Sequence, residues 1–395
     1  MKYTVKQLSE KIYSCGYCLI LIAFLLQISN TPNVFPELYS TMRILRILGY
    51  FCCLIKLLLI TTWKKRSILQ IVVAFLCIGA VTFVTDSQII LTDLFLIITS
   101  KNVNMRSLMK RDLLIRVLFG GFTILLCVIG VVPDILDYRN GVLSRHSLGF
   151  AHPNRLALHL FMITLYLFYI NYNRIKVKHL LAMLFLDIFA LISTDGRTSC
   201  LGIFIVFLLS VFKWKNKEKL IIEYKSKIYA PFVYVISILF SFLSPVLYLT
   251  GNLHTSADST FGSRIVMAAR GLSAYGIKIF GQKVEVVTSI VARLTGQQAN
   301  GIDNMYVYLA VNFGILVFVL FIFMLWKGIS FAEKAGDKAG VICFLLIIIM
   351  GIMENQFLYI ESNLFLIYIG QYWLTLSQKK RRTAINGEKY EYAKG

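Results

Sequence analysis

The chain has no glycine-rich loop of the kind that cradles phosphates, which argues against nucleotide-driven work. Its five histidines are scattered and form no metal-ligand set, so no metal or other cofactor is expected. Acidic residues are scarce: 20 Asp and Glu stand against 41 Lys and Arg, a formal net charge of +21. The eight cysteines lie mainly in hydrophobic runs. The Cys15-x-x-Cys18 spacing has no second pair and reads as helix packing. No small-residue cleavage pattern follows Ile28, so the first apolar run, preceded by Lys2, Lys6 and Lys11, reads as a retained helix rather than a signal peptide. No stretch reads as a separate soluble module.

What the chain does have is apolar length. It is 57% hydrophobic with a mean hydropathy of +0.71, which excludes an ordinary soluble domain. About twelve apolar segments approach the length that crosses a bilayer: 13–29, 42–62, 68–85, 88–100, 113–133, 152–171, 178–194, 198–212, 228–250, 304–326, 339–353 and 361–377. The expected fold is all-α, a polytopic integral membrane protein of about 12 transmembrane helices. Its membrane domain covers 1–378, with one long exterior loop at 251–302, and a basic cytoplasmic tail follows at 379–395.

Basic residues separate by side of the membrane. With the N-terminus inside, the inner segments hold 28 Lys and Arg and the outer ones eight. That asymmetry supports cytoplasmic termini, and it takes the positive charge away from a nucleic-acid role. The kind of base also differs. Inside, 22 of the 28 are Lys; outside, six of the eight are Arg: Arg139, Arg145, Arg197, Arg264, Arg270 and Arg293. Topology needs only charge, whereas Arg offers a planar fork that grips phosphate through two parallel hydrogen bonds. An Arg-rich exterior therefore points to a bound anion. The plainer account is local pairing, of Arg139 with Asp134 or Asp137 and of Arg197 with Asp195.

Four exterior places concentrate polar chemistry. Arg145, His146, His152, Asn154 and Arg155 fall within eleven residues, just before the sixth apolar run, and Pro153 fits the first turn of that helix. Asp195-Gly196-Arg197 is a tight turn between two runs. In the long loop, Ser263 to Tyr275 reads as a helix capped by Ser263, with Arg264 in its first turn. Asp303-Asn304 opens the tenth run, with Asp303 as a candidate N-cap. Along the spans, the ionisable residues Lys56, Asp93, Arg116, Asp187, Glu354 and Glu361 are costly and need partners.

These residues resemble a known family, the Wzy-type polymerases that extend O-antigen and capsular polysaccharide from lipid-linked repeat units. The resemblance runs over most of the chain in layout. Its sharpest piece is Gly149-Phe150-x-His152-Pro153-Asn154. Others are Gly262-Ser263-Arg264, Leu272 to Gly276, Phe280-Gly281, Asp303-Asn304-x-Tyr306, Asn312-Phe313-Gly314-Ile315 and the stretch Asp93 to Asn102.

What the resemblance implies is a metal-independent glycosyltransferase with a GT-C-like fold, working at the outer face of the bacterial plasma membrane. Its substrate would be an undecaprenyl-pyrophosphate-linked oligosaccharide. Membrane lipids surround it, and a flippase and a chain-length regulator are its implied neighbours. On this view Arg145, Arg197 and Arg264 stabilise the pyrophosphate, with Asn154, Arg155, Arg270, Asn304 and Tyr306 contacting pyrophosphate or sugar. The related O-antigen ligases place a His-Asn pair where this chain has Asp303-Asn304. The general base is therefore open between Asp303, His254 and His152. Two other readings remain: a ligase that moves finished polymer to another acceptor, and a flippase for the same lipid-linked sugars.

Overall fold

The computed structural model describes residues 5–60, 65–139, 143–215, 226–255, 260–287, 296 and 300–370. Their regular secondary structure is helical apart from one two-stranded hairpin. The helices are α1 (Val5–Ile28), α2 (Thr31–Val34), α3 (Glu37–Ile55), α4 (Lys65–Thr85), α5 (Ile89–Thr99), α6 (Met105–Val128), α7 (Pro153–Asn171), α8 (Val177–Thr194), α9 (Arg197–Lys215), α10 (Ser226–Leu249), α11 (Thr260–Tyr275), α12 (Met305–Lys334) and α13 (Lys338–Met350). Strands β1 (Leu136–Arg139) and β2 (Leu143–His146) form the hairpin between α6 and α7. The tail from 371 and Arg293 lie outside the described residues.

Among the described residues, seven helices are long and apolar enough to cross a membrane, and α5 and α13 are shorter apolar helices. Most of these helices keep an apolar face outward: Phe83, Ile192, Phe232 and Phe323 stand well exposed. In a membrane that face meets lipid, so exposure of large apolar side chains carries no penalty. Helix α7 differs. It is buried nearly all round and packs against α6, α8, α9 and α13, as a helix at the centre of a bundle must.

Several expected boundaries move. The run at 42–62 is α3, which begins at Glu37 and passes into a π-helical segment at Lys56–Ile60. The run at 113–133 is the second half of α6, which begins at Met105, capped by Asn104. The loop helix begins at Thr260, so Ser263 lies inside the helix and is not its N-cap. At α12 the N-cap is Asn304, whose Oδ1 accepts from the backbone N–H groups of Tyr306 (3.0 Å) and Val307 (3.1 Å); Asp303 is left to turn elsewhere. In the last expected run, 361–377, residues 361–366 are irregular, 367–370 are helical and the rest lies outside the described residues. After α13 the chain makes 3-10 turns at Asn355–Leu358 and Leu364–Leu366.

Irregular backbone inside a bundle needs partners for its N–H and C=O groups. Here the costly polar side chains supply them. Asp93 accepts from the Ile360 N–H at 3.2 Å, and Tyr166 Oη accepts from the Leu364 N–H at 3.3 Å. Asn363 Nδ2 donates to Phe357 O at 2.9 Å. Arg116 donates to the Glu361 carbonyl while its Nε is paired with Asp112 at 2.5 Å, and Tyr17 Oη donates to the same Asp112. Lys56 caps the carbonyls of Thr99 and Lys101 beyond the C-terminus of α5.

A second irregularity joins the long loop to the bundle. Gly314 breaks α12 with φ +84°, ψ 170°, and the strand of chain at 278–282 lies in the gap. Ile315 N–H donates to Lys278 O (2.9 Å), Leu316 N–H to Ile279 O (3.2 Å) and Gln282 N–H to Asn312 O (2.9 Å). A Cβ on Gly314 would stand 2.3 Å from Gly281 N, and one on Gly281 the same distance from Asn312 O. Only glycine permits this backbone-on-backbone approach.

Candidate functional site

One end of the bundle gathers most of the polar residues singled out in the sequence. The hairpin sets the first group. Its register places Asp137 opposite Arg145, and Arg145 Nη1 meets Asp137 Oδ2 at 2.9 Å. Arg145 is 4% exposed. Its Nε donates to Thr194 O at 2.8 Å, at the C-terminus of α8, where a helix favours a cation. Its Nη2 donates to Asn154 Oδ1. One guanidinium thus ties the hairpin, α7 and the α8–α9 turn together. Asp134 braces the hairpin from below, with Oδ2 on His146 Nδ1 at 2.6 Å and Oδ1 accepting from the N–H groups of Ser147 and Leu148, each at 2.9 Å. Burial alone would raise the Asp134 carboxyl, but these donors outweigh it and hold it below the usual carboxylate range.

His152 is the N-cap of α7, its Nδ1 accepting from the Asn154 N–H at 3.1 Å, and Pro153 occupies the first turn as expected. The cap fixes where Asn154 and Arg155 leave the helix. Arg155 Nη1 donates to Gln356 Oε1, tying α7 to the irregular turn.

The second group comes from the α8–α9 turn. Asp195 closes α8 in the left-handed region (φ 41°), and Gly196 lies so close to α7 that a Cβ would stand 2.5 Å from Ala157 Cβ. Helix α9 therefore starts directly against α7. The first-turn N–H groups of Thr198 and Ser199 have no helical acceptor, as at any helix start. Arg197 is about half exposed (48%), with Nε 3.4 Å from Asp195 Oδ1, so the expected local pairing is present.

The third group comes from α11 and the turn after α13. Arg264 Nη1 meets Asp303 Oδ2 at 2.8 Å, and its Nη2 lies 4.0 Å from Glu354 Oε1. Arg264 Nε is buried without a hydrogen-bond partner among the described residues. Asp303 and Glu354 are brought together by one backbone and one side-chain bond: Met305 N–H donates to Gly351 O (2.8 Å), and Asn355 Nδ2 donates to Ile302 O (2.7 Å). Glu354 is buried, which pushes its carboxyl up, to about 7. Arg264 and Arg155 pull it down and Asp303 adds to the rise.

Asn154, Gly196, Arg197, Thr198, Ser199, Ser263, Arg264 and Glu354 line one small polar cleft of about 40 Å³. Four segments distant in sequence meet there: α7, the start of α9, α11 and the turn beyond α13. The cleft offers guanidinium and N–H donors beside one buried carboxyl, a combination that suits an anion next to a proton acceptor.

Other expected site residues lie elsewhere or serve the scaffold. Asn304 is a buried cap. Tyr306 is fully buried and donates to Ile348 O at 2.8 Å. Arg270 and His254 are exposed, and neither lines the cleft. In the sequence Glu354 stands out as a costly ionisable residue and not as part of a site. Its signal was present: Glu354-Asn355-Gln356 is a polar triplet between two apolar runs, with no basic residue nearby in sequence. The chain matches no family model, no curated protein and no solved structure.

Proposed function

We propose that this protein is a glycosyltransferase of the lipid-linked kind, joining oligosaccharide repeat units carried on polyprenyl pyrophosphate into a surface polysaccharide. The observation that carries this reading is the convergence of Arg197 and Arg264, from separate helices, on a polar cleft at one end of an apolar bundle. A diphosphate leaving group is already activated, so catalysis needs mainly placement of two substrates and donors for the charge that builds on the diphosphate. Arg264 is held by Asp303 with Nε unengaged, and Arg197 is exposed at the start of α9; each can donate to phosphate oxygens. The buried Arg145 orders Asn154 at the cleft wall. An apolar bundle suits a substrate with a long hydrocarbon tail. A GT-C-like architecture, an outer-face site in the plasma membrane and cytoplasmic termini belong to the same proposal, supported by the Lys-inside, Arg-outside bias.

The test is deletion of the gene in the native strain, followed by sizing of lipid-linked and surface glycans. Single repeat units should accumulate and long chains disappear, with rescue by wild type and not by Arg264→Ala. Long chains stranded on the carrier would instead mean a ligase. Repeat units confined to the cytoplasmic side would mean a flippase.

A further inference from the structure

Glu354 stands in the cleft in an unusual condition. Its backbone is extended (φ −141°, ψ 115°) just past α13, so the side chain leaves the bundle axis and reaches the cleft wall. The side chain is 13% exposed. The nearest guanidinium nitrogen, Arg264 Nη2, is 4.0 Å away, too far for a hydrogen bond. The same guanidinium makes its close contact with Asp303 instead, at 2.8 Å. Of the two carboxylates beside Arg264, one is tied by a charge-assisted bond and the other has no hydrogen bond among the described residues, so its lone pairs can serve a substrate.

We propose that Glu354 is the general base that takes the proton from the acceptor hydroxyl, and that Asp303 is a positioning residue that holds Arg264. This rests on the transferase reading above. In the step, the acceptor hydroxyl oxygen bonds to the anomeric carbon of the donor sugar. The bond from that carbon to the pyrophosphate oxygen breaks, and its electron pair leaves with the lipid pyrophosphate. The hydroxyl proton passes to a Glu354 carboxylate oxygen and is later released to water at the cleft mouth. The division of labour follows from the geometry. A base needs a free lone pair within reach of the hydroxyl, while the residue that orients a guanidinium must keep its own lone pair engaged.

The electrostatics agree. A carboxyl pushed up to about 7 is part ionised at neutral pH and binds a proton far more strongly than an ordinary carboxylate. The charged groups that face it are Arg264 from α11, Asp303 ahead of α12, Arg155 from α7 and, across the cleft, Arg197 from α9.

The test uses the full-length protein in lipid nanodiscs, with lipid-linked repeat units extracted from the deletion strain as substrate. Wild type should lose kcat as pH falls through about 7. Glu354→Gln should cut kcat by about 10²–10⁴-fold with KM little changed. Formate should restore part of the rate to Glu354→Ala, a rescue that a merely structural carboxylate does not show. Independently of activity, infrared difference spectra should show a protonated-carboxyl band titrating near neutrality in wild type and missing in Glu354→Gln. If Glu354→Gln keeps the wild-type rate and pH profile while Arg264→Ala is dead, the base assignment is overturned and the transferase reading stands. An absent band is equally fatal to the assignment. If wild type itself extends no chain while binding the lipid-linked unit, the transferase reading falls, and the base assignment falls with it.

Discussion

Replacing Arg145 tests whether the hairpin end of the site is scaffold or substrate contact. In Arg145→Ala three acceptors lose a charged donor at once: Thr194 O, Asp137 Oδ2 and Asn154 Oδ1. Removing one partner of a buried ion pair costs about 3–5 kcal/mol, because the other charge stays behind in a low-dielectric place. The Arg145 and Asp137 side chains are 5% and 14% exposed, so solvent screening gives little relief. Against a net stability of roughly 5–15 kcal/mol for a folded domain, that loss is large. Arg145→Lys keeps the charge but has no planar fork, so it cannot reach three acceptors in different directions and should fall between wild type and Ala.

The assay is thermal unfolding of detergent-solubilised protein, alongside its level in the membrane. The double variant Arg145→Ala, Asp137→Ala should be no less stable than Arg145→Ala alone, since the carboxylate that lost its close guanidinium, with His152 Nε2 only 3.9 Å away, is gone too. An Arg145→Ala protein that melts with wild type yet extends no chains would refute the reasoning. Arg145 would then belong with the residues that meet the pyrophosphate.

Arg264→Lys should lower the extension rate by about 10–100-fold at unchanged protein level, because one charge-assisted bond of roughly 1.5–3 kcal/mol is lost with the fork; full activity would remove the bidentate contact from the account. Gly314→Ala should lower the melting temperature and unseat the chain at 278–282, since its Cβ would stand 2.3 Å from Gly281 N at φ +84°, a strain of about 1–3 kcal/mol; protease nicking in the long loop reads it. Glu354→Gln should stabilise the fold at alkaline pH. The folded carboxyl binds its proton more tightly than the unfolded one, so wild-type stability is highest below the ordinary 4.5 and is lost as pH rises through about 7, by about 3 kcal/mol at roughly 1.36 kcal/mol per tenfold in proton affinity. Melting curves of the two proteins should therefore separate above neutrality and converge in acid.

The sequence was most legible where one residue type has one use. Pro153 after His152 marks a helix start whatever surrounds it, and the structure has α7 begin there. Apolar length located most of the apolar helices, but not where they begin, because helices run on from apolar stretches into polar turns, as α3 and α6 do. Caps were misjudged at two places for one reason. Ser263 and Asp303 are both good caps in isolation, and the fold used neighbours instead: α11 starts three residues earlier, and Asn304 takes the cap. That exchange frees Asp303 to face Arg264, which no local pattern predicts. The pairing of Phe280-Gly281 with Asn312-Phe313-Gly314 was also hidden. Each stretch looks like an ordinary turn signal, and only the packed chain shows two glycines meeting backbone to backbone.

The irregular chain beyond α13 explains why a membrane bundle keeps so many ionisable side chains. A straight helix through 351–366 would satisfy its own backbone and would need none of Asp93, Arg116 or Tyr166. It would also carry Glu354 along a helix face, and the 3-10 turns that hold Asn355 and Gln356 toward Ile302 and Arg155 would be gone. The buried polar side chains and the carboxyl in the cleft are therefore two consequences of one departure from helical geometry. This bears on the flippase reading, which needs intramembrane charges that line a passage for the substrate. Asp93 Oδ1 and the Arg116 guanidinium are instead engaged by the Ile360 N–H, the Glu361 carbonyl and Asp112, so these contacts hold the irregular chain beyond α13.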